Sequence, residues 1–290
     1  MLALGIDTSS DAASVGLADH NRLLAELNLR AGNTHSERLV PAIHALLATA
    51  GVHSEQVDVF AVAAGPGSFT GLRIGMATAK GLALGVGRPL AGFSTLETLA
   101  LAVASGIPSG PGRPAPICVM LDAGRGEVYR GLFDCVDDRV MPRVPESALT
   151  PEDAAAGLPE GCILCGSGVV TYRERLRSCL EVSTLWVGNT PFIGSTLARR
   201  AIRLASSQGL GALPPLCMQI NPSAVSPRRR DEDSSARAAR GFPAQSTQSI
   251  ECASGMSRRC WPSRRRRFPA RGHAGRFSKR YAPTPTPAVW

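Results

Sequence analysis

The chain has 290 residues, with 32 Lys+Arg against 23 Asp+Glu and a formal net charge of +9. That length allows one large or two small domains, and 44% hydrophobic residues suffice for a core. The charge total, which would imply nucleic acid or an anionic surface as partner, misleads: residues 1–220 hold 17 basic and 19 acidic side chains (net −2), and residues 221–290 hold 15 and 4 (net +11).

Met1–Asp7 is a short apolar run, which predicts a buried strand. Ala12–Ala18 and Leu23–Leu29 predict two more, with turns around Ser9-Ser10-Asp11 and His20-Asn21. Thr34-His35-Ser36-Glu37 has capping-box spacing, and Leu39, Ile43, Leu46, Leu47 and Ala50 mark one face of a helix. Pro41 inside it predicts a kink or a late start, and Gly51 predicts its end. Val57–Ala63 predicts a fourth strand. Gly65-Pro66-Gly67 then turns the chain into a second helix, about Thr70–Val86.

That helix carries two rows of small residues, Gly71/Gly75/Ala79/Ala83 and Ala77/Gly81/Gly85. An interior glycine costs about 1 kcal/mol relative to alanine, so close packing must offset it. One row is expected against the chain's own sheet, and a second row points to a second neighbour.

The order β-β-β-α-β-α is that of an actin-like, ribonuclease-H-like half, so the pattern should recur. Residues 7–19 align without gaps on residues 122–134, sharing Asp7/Asp122, Gly16/Gly131, Leu17/Leu132 and Asp19/Asp134. The expectation is a duplicated α/β fold. Its first half spans 1–106, Gly106–Pro116 is a linker, and a reduced second half spans 107–222 with Phe192–Gln208 as its clearest helix. Residues 223–290 form a basic, low-complexity tail. Ala224–Trp290 contains no leucine in 67 residues, too little apolar area to offset ordering entropy, and reads as disordered. Arg264–Arg267 with Trp261, Phe268 and Phe277 could hold RNA; the plainer reading is a non-selected extension.

No apolar run reaches the ~20 residues of a membrane span, and the first residues lack the basic region of a signal peptide. Eight cysteines are scattered without a disulfide framework, and the single CxxC, Cys162–Cys165, has no second pair at zinc spacing. It reads as a buried strand. A cytoplasmic protein is expected. Histidines 20, 35, 44, 53 and 273 show neither HxxxH nor HExxH spacing, so no metal site is expected. Lys80 reads as a solvated side chain, and no GxSxG elbow or other catalytic constellation emerges. Asp7, Thr8 and Ser9 could meet phosphate after the first strand. Gly65, Gly67 and Ser68 could do so at a helix N-terminus. The same residue types also make ordinary turns.

Gly5–Ser10, His35–Pro41, Leu121–Tyr129, Leu213–Leu216 and above all Gly65-Pro-Gly-Ser-Phe-Thr-Gly-Leu-Arg-Ile-Gly75 resemble the bacterial TsaB (YeaZ) family over about residues 1–222. The resemblance implies an ASKHA-superfamily, actin-like fold. It implies a non-catalytic dimerisation subunit of the complex that transfers threonylcarbamoyl to N6 of the adenosine 3′ of the anticodon, in tRNAs reading ANN codons. The catalytic subunit of that complex is the paralogue TsaD, which binds metal and the adenylate through a histidine pair. Here His35 is followed by Leu39 where the second histidine would stand. A heterodimer with TsaD through the first two helices is implied, with Leu39, Ile43, Leu47, Gly71, Gly75, Met76 and Ala79 as expected contacts. TsaE, an ATPase, and tRNA join through the complex, and a homodimer is the state open to the chain alone. No cofactor is expected to bind tightly, apart from a nucleotide at the interface with TsaD and TsaE. The older glycoprotease label has no support in these residues. The alternative is an independent actin-like ATPase or phosphotransferase using Asp7 and the glycine loop. Chains of this family usually stop near Pro222, so the basic tail departs from the pattern.

Overall fold

Alternation along Leu2–Asp7 (β1) sorts side chains by size. Leu4 and Ile6 enter one core, and Ala3 enters another on the opposite face. The computed structural model describes residues 1–30, 35–106, 115–136, 139–180, 185–187 and 189–217. The capping residue Thr34, the side chain of His35, residues 107–114 of the linker and the tail from 223 onward lie outside the described residues.

β1 is the centre of a sheet ordered β3-β2-β1-β4-β5, with β2 at Ala12–Asp19, β3 at Leu23–Arg30, β4 at Val59–Gly65 and β5 at Leu90–Ser94. β1–β2 and β2–β3 are antiparallel, and β1–β4 and β4–β5 are parallel. Helices α1 (His35–Ala50) and α2 (Phe69–Val86) cover the Leu4/Ile6 face. There Leu39, Ile43, Leu46, Leu72 and Met76 meet Val15, Leu17, Phe60 and Val62. Burying each large aliphatic side chain contributes about 1.5–3 kcal/mol.

The second sheet is ordered β10-β9-β6-β7-β8: β6 Ile117–Gly124, β7 Glu127–Val136, β8 Arg139–Leu149, β9 Ile163–Cys165 and β10 Leu185–Trp186. Read from β8, it repeats the order and strand senses of the first sheet. This is a duplicated actin-like fold, and its second half is reduced. Where the first half has α1 with 16 residues, the second has α4 (Pro151–Ala155), with 5. The counterparts of the 18-residue α2 are α5 (Ser167–Thr171) and α6 (Arg173–Arg177), with 5 each. Both sheets belong to one unit, Met1–Arg230.

Helices α3 (Thr95–Ser105) and α7 (Gly194–Gln208) exchange sheets. α3 follows the first sheet yet packs on β6, β7 and β8; α7 follows the second yet packs on β1, β2 and β4. The small residues of β1 and β2 permit this. A Cβ on Gly5 would collide with the Gly194 carbonyl oxygen, and one on Gly16 with the Ser195 amide. Backbone contact is then fixed by polar bonds: the Gly194 amide donates to Ser14 Oγ at 3.0 Å, and Ser195 Oγ donates to Glu26 Oε1 at 2.8 Å. Arg200 of α7 pairs with Glu97 of α3, donates to Thr98 Oγ1 and lies over the Phe93 ring at 4.8 Å.

Two expectations are corrected. α1 begins at His35, so the proline causes no late start, and the helix continues through Pro41. The proline is exposed, so the carbonyl of Glu37, deprived of its helical donor, lies on a turn that water reaches. The gapless duplication is one residue out of register beyond the turn. Asp7 pairs with Ser14, whereas Asp122 pairs with Val128 and an irregularity falls between Asp122 and Gly124. The second turn is therefore one residue shorter. Cys162 and Cys165 are buried, as read from sequence.

Candidate functional site

The turn after β1 and the turn before α2 are built into each other. The Ser9 amide donates to Asp7 Oδ1 at 2.9 Å, an Asx-type turn. The Ser68 amide donates to the Ser9 carbonyl oxygen at 2.7 Å. Gly67 lies so close that a Cβ there would stand 2.5 Å from the same oxygen. Ser68 caps α2, its Oγ accepting from the Gly71 amide at 3.3 Å. Thr8, 1% exposed, donates through Oγ1 to the Gly71 carbonyl oxygen at 2.7 Å. A Cβ on Gly71 or Gly75 would collide with Thr8 itself. The first glycine row thus exists to seat Thr8.

The second half supplies the facing wall. Asp122 Oδ1 accepts from the Gly124 amide at 2.8 Å and from Tyr172 Oη at 3.1 Å, and the Asp122 amide donates to Ser167 Oγ at 3.1 Å. Gly124, Arg125 and Gly126 all have φ between 56° and 82°, the left-handed region that a tight turn uses. Ser9, Gly67 and Ser68 on one side and Asp122, Gly124 and Ser167 on the other enclose a cleft of about 370 Å³.

Of the residues expected near phosphate, Ser9, Gly67 and Ser68 line this cleft; Asp7, Thr8 and Gly65 do not. Asp7, Thr8, Ser9 and Gly65 are buried. The amides of Ser9, Ser68 and Gly71, which an anion would need, already bond within the two turns. Among the described residues, no group of three or more His, Cys, Asp or Glu could hold a metal ion, and no helix is long and apolar enough to cross a membrane.

The seven residues expected at a partner surface are all inside the chain's own packing. Leu39 and Ile43 are 1% exposed, Leu47 8%, Met76 7% and Ala79 0%, and Gly71 and Gly75 are buried against Thr8. Of the seven, Ile43 and Leu47 alone line a surface hollow, with His44, Gly51 and Leu82; the row Gly71, Gly75 and Ala79, expected to face outward, is turned inward on the chain's own packing. The outward face carries Ala77, Gly81, Leu84 and Gly85. Leu84 is 72% exposed, and among the described residues a Cβ on Gly81 or Gly85 would have nothing within 4 Å. Both rows are legible in the sequence. Only the hydrophobic neighbours Leu72 and Met76, flanking Gly71 and Gly75, distinguish the buried one.

Burial also sets the thiols. Desolvation pushes Cys118 up to about 12 and Cys135 and Cys162 up to about 11, and raises Cys165 as well. None is a poised thiolate.

Residues 29–217 match the family described as TsaD: tRNA N6-adenosine threonylcarbamoyltransferase. The "tRNA threonylcarbamoyladenosine biosynthesis protein TsaB" of Bacillus subtilis is 35% identical over 146 residues, covering 50% of this chain and 61% of that protein. The protein of the same name from Escherichia coli is 38% identical over 129 residues, covering 44% and 53%. The chain thus spans little more than half the length of these curated relatives. The solved structure of YeaZ from Pseudomonas aeruginosa superposes with a TM-score of 0.61 at 28% identity, covering 74% of this chain and 98% of that one. Interlocked turns, duplicated sheets and these likenesses agree: the chain belongs to the TsaD family of tRNA N6-adenosine threonylcarbamoyltransferases and is a TsaB/YeaZ-like member of it.

Proposed function

We propose that the chain is a non-catalytic subunit of the complex that places threonylcarbamoyl on N6 of the adenosine 3′ of the anticodon, in tRNAs reading ANN codons. In this reading it pairs with a TsaD-like paralogue, which carries the chemistry. A TsaE-like ATPase joins the pair, and any nucleotide sits at their interface.

The observation that carries the reading is the outward face of α2. Gly81, inside the helix, and Gly85, in its last turn, have no neighbour among the described residues that requires them, although an interior glycine costs about 1 kcal/mol relative to alanine. Beside them Leu84 is 72% exposed, and on α1 Val40 is 42% exposed. A flat, small-residue face flanked by exposed aliphatics fits a second helix at close range. The site chemistry agrees. Leu39 is buried in the core one turn after His35, where a second metal-binding imidazole would be needed, and the cleft turns use their amides on each other.

Gly81→Trp tests this. No described residue lies within 4 Å of a Cβ at that position, so the isolated chain is expected to keep its fold, while affinity for the TsaD-like partner falls at least tenfold (about 1.4 kcal/mol). Unchanged pairing would refute the assignment of this face.

A further inference from the structure

The tip of the β2–β3 hairpin and the outer face of α7 enclose a polar hollow of about 630 Å³, lined by none of the cleft residues. Arg22 of the hairpin and Arg199 and Arg203 of α7 line it, and His20 stands beside them. Arg199 and Arg203 are one helical turn apart, so their side chains project from the same face. All three arginines are exposed. Among the described residues lining it, one acid, Asp19, is present. Its Oδ1 accepts from the amides of Asn21 and Arg22 at 2.8 and 2.9 Å, and its Oδ2 lies 3.8 Å from Arg22 Nε. That carboxylate shapes the hairpin tip, so the described lining carries three guanidiniums and one carboxylate, although residues 1–220 as a whole are net −2. The only apolar residue among the described ones lining the hollow, Ile202, is 4% exposed.

We propose that this hollow binds the phosphate backbone of RNA. Three guanidiniums on two elements suit phosphate oxygens, which arginine engages through paired donors. A docking site for an acidic protein segment would also present apolar anchors, whereas nucleic-acid interfaces are more polar and more positive than protein–protein ones. The hollow can therefore add affinity without reading sequence. The phosphate-binding chemistry rests on the lining alone, and the choice of tRNA as the RNA rests on the function proposed above.

The test uses the full chain and an unmodified tRNA transcript, with binding followed by fluorescence anisotropy between 50 and 200 mM salt. Arg199→Gln/Arg203→Gln is expected to weaken binding at least tenfold at low salt. It should also flatten the slope of log K against log salt by about 0.7–0.9 for each phosphate that is no longer neutralised. Arg22→Gln, on the other element, should weaken binding in the same direction with the fold undisturbed. Asp19→Asn, which keeps an acceptor for the hairpin amides, should tighten it. The same fractional losses are expected when Arg264–Arg267 are all changed to Gln, which separates the hollow from the basic tail. Wild-type affinity and salt slope in the double variant would overturn the proposal. So would equally tight, equally arginine-dependent binding of a poly-glutamate peptide, which would assign the hollow to an acidic protein segment. Normal threonylcarbamoyladenosine in cells lacking the chain would defeat the proposed function but would leave these binding differences in place.

Discussion

Two glycines on one helix predict opposite outcomes. Gly81→Ala should stabilise the isolated chain by about 0.5–1 kcal/mol, because alanine restricts the unfolded chain and meets nothing in the folded one. Gly75→Ala should destabilise it by about 1–3 kcal/mol, since the new methyl is driven into Thr8 Oγ1; urea unfolding of both variants measures the pair. Glu146 gives a pH-dependent counterpart. Burial raises its carboxyl above the ordinary range against a bond from Ser94 Oγ, and Glu97 raises it further. A carboxyl raised in the fold favours the folded state while protonated and loses that contribution as pH rises through the folded value. Glu146→Gln keeps an acceptor for Ser94 and never ionises. Its Tm should exceed wild type at pH 7, with the gain shrinking toward pH 4. A gain that grows with acidity would contradict this. Among the described cysteines, alkylation of the native chain at pH 8 should modify Cys179 and Cys217, which are exposed, and spare the buried Cys118, Cys135, Cys162 and Cys165.

At the scale of elements, the decisive contact is α7 on β1 and β2. Gly16→Val would push the β2 backbone from the Ser195 amide and break the Gly194–Ser14 bond. The expected loss is about 3 kcal/mol or more, read as a lowered urea midpoint; an unchanged midpoint would contradict the close packing described. This contact shows what a sequence does and does not disclose. Four of the five strands of the first half and both long helices were legible, because alternation at period 2 and apolar spacing at 3.6 are local properties; β5 at Leu90–Ser94 and α3 behind it went unread. The strand–Asp–turn–strand repeat made the duplication legible too, although the shorter second turn hid its register. The exchange of α3 and α7 between sheets was not legible, since it depends on which small residues oppose which backbone across 180 positions. For the same reason the sequence marked Gly71 and Gly81 alike: small residues look the same whether a neighbour within the chain or outside it requires them. Arg22, Arg199 and Arg203 escaped notice because folding alone brings them together.

Taken as a whole molecule, this is an actin-like pair of sheets whose cleft turns spend their amides on each other and whose outer α2 face no described residue covers. The chain alone is therefore expected to turn over no ATP above background, and steady hydrolysis dependent on Asp7 would favour the phosphotransferase alternative. The most direct test of the central claim is nucleoside analysis of tRNA from cells depleted of this chain. Threonylcarbamoyladenosine should be lost on depletion, restored by wild type and not restored by Gly81→Trp. Undiminished threonylcarbamoyladenosine after depletion would contradict the function, and full rescue by Gly81→Trp would contradict the surface assigned to it.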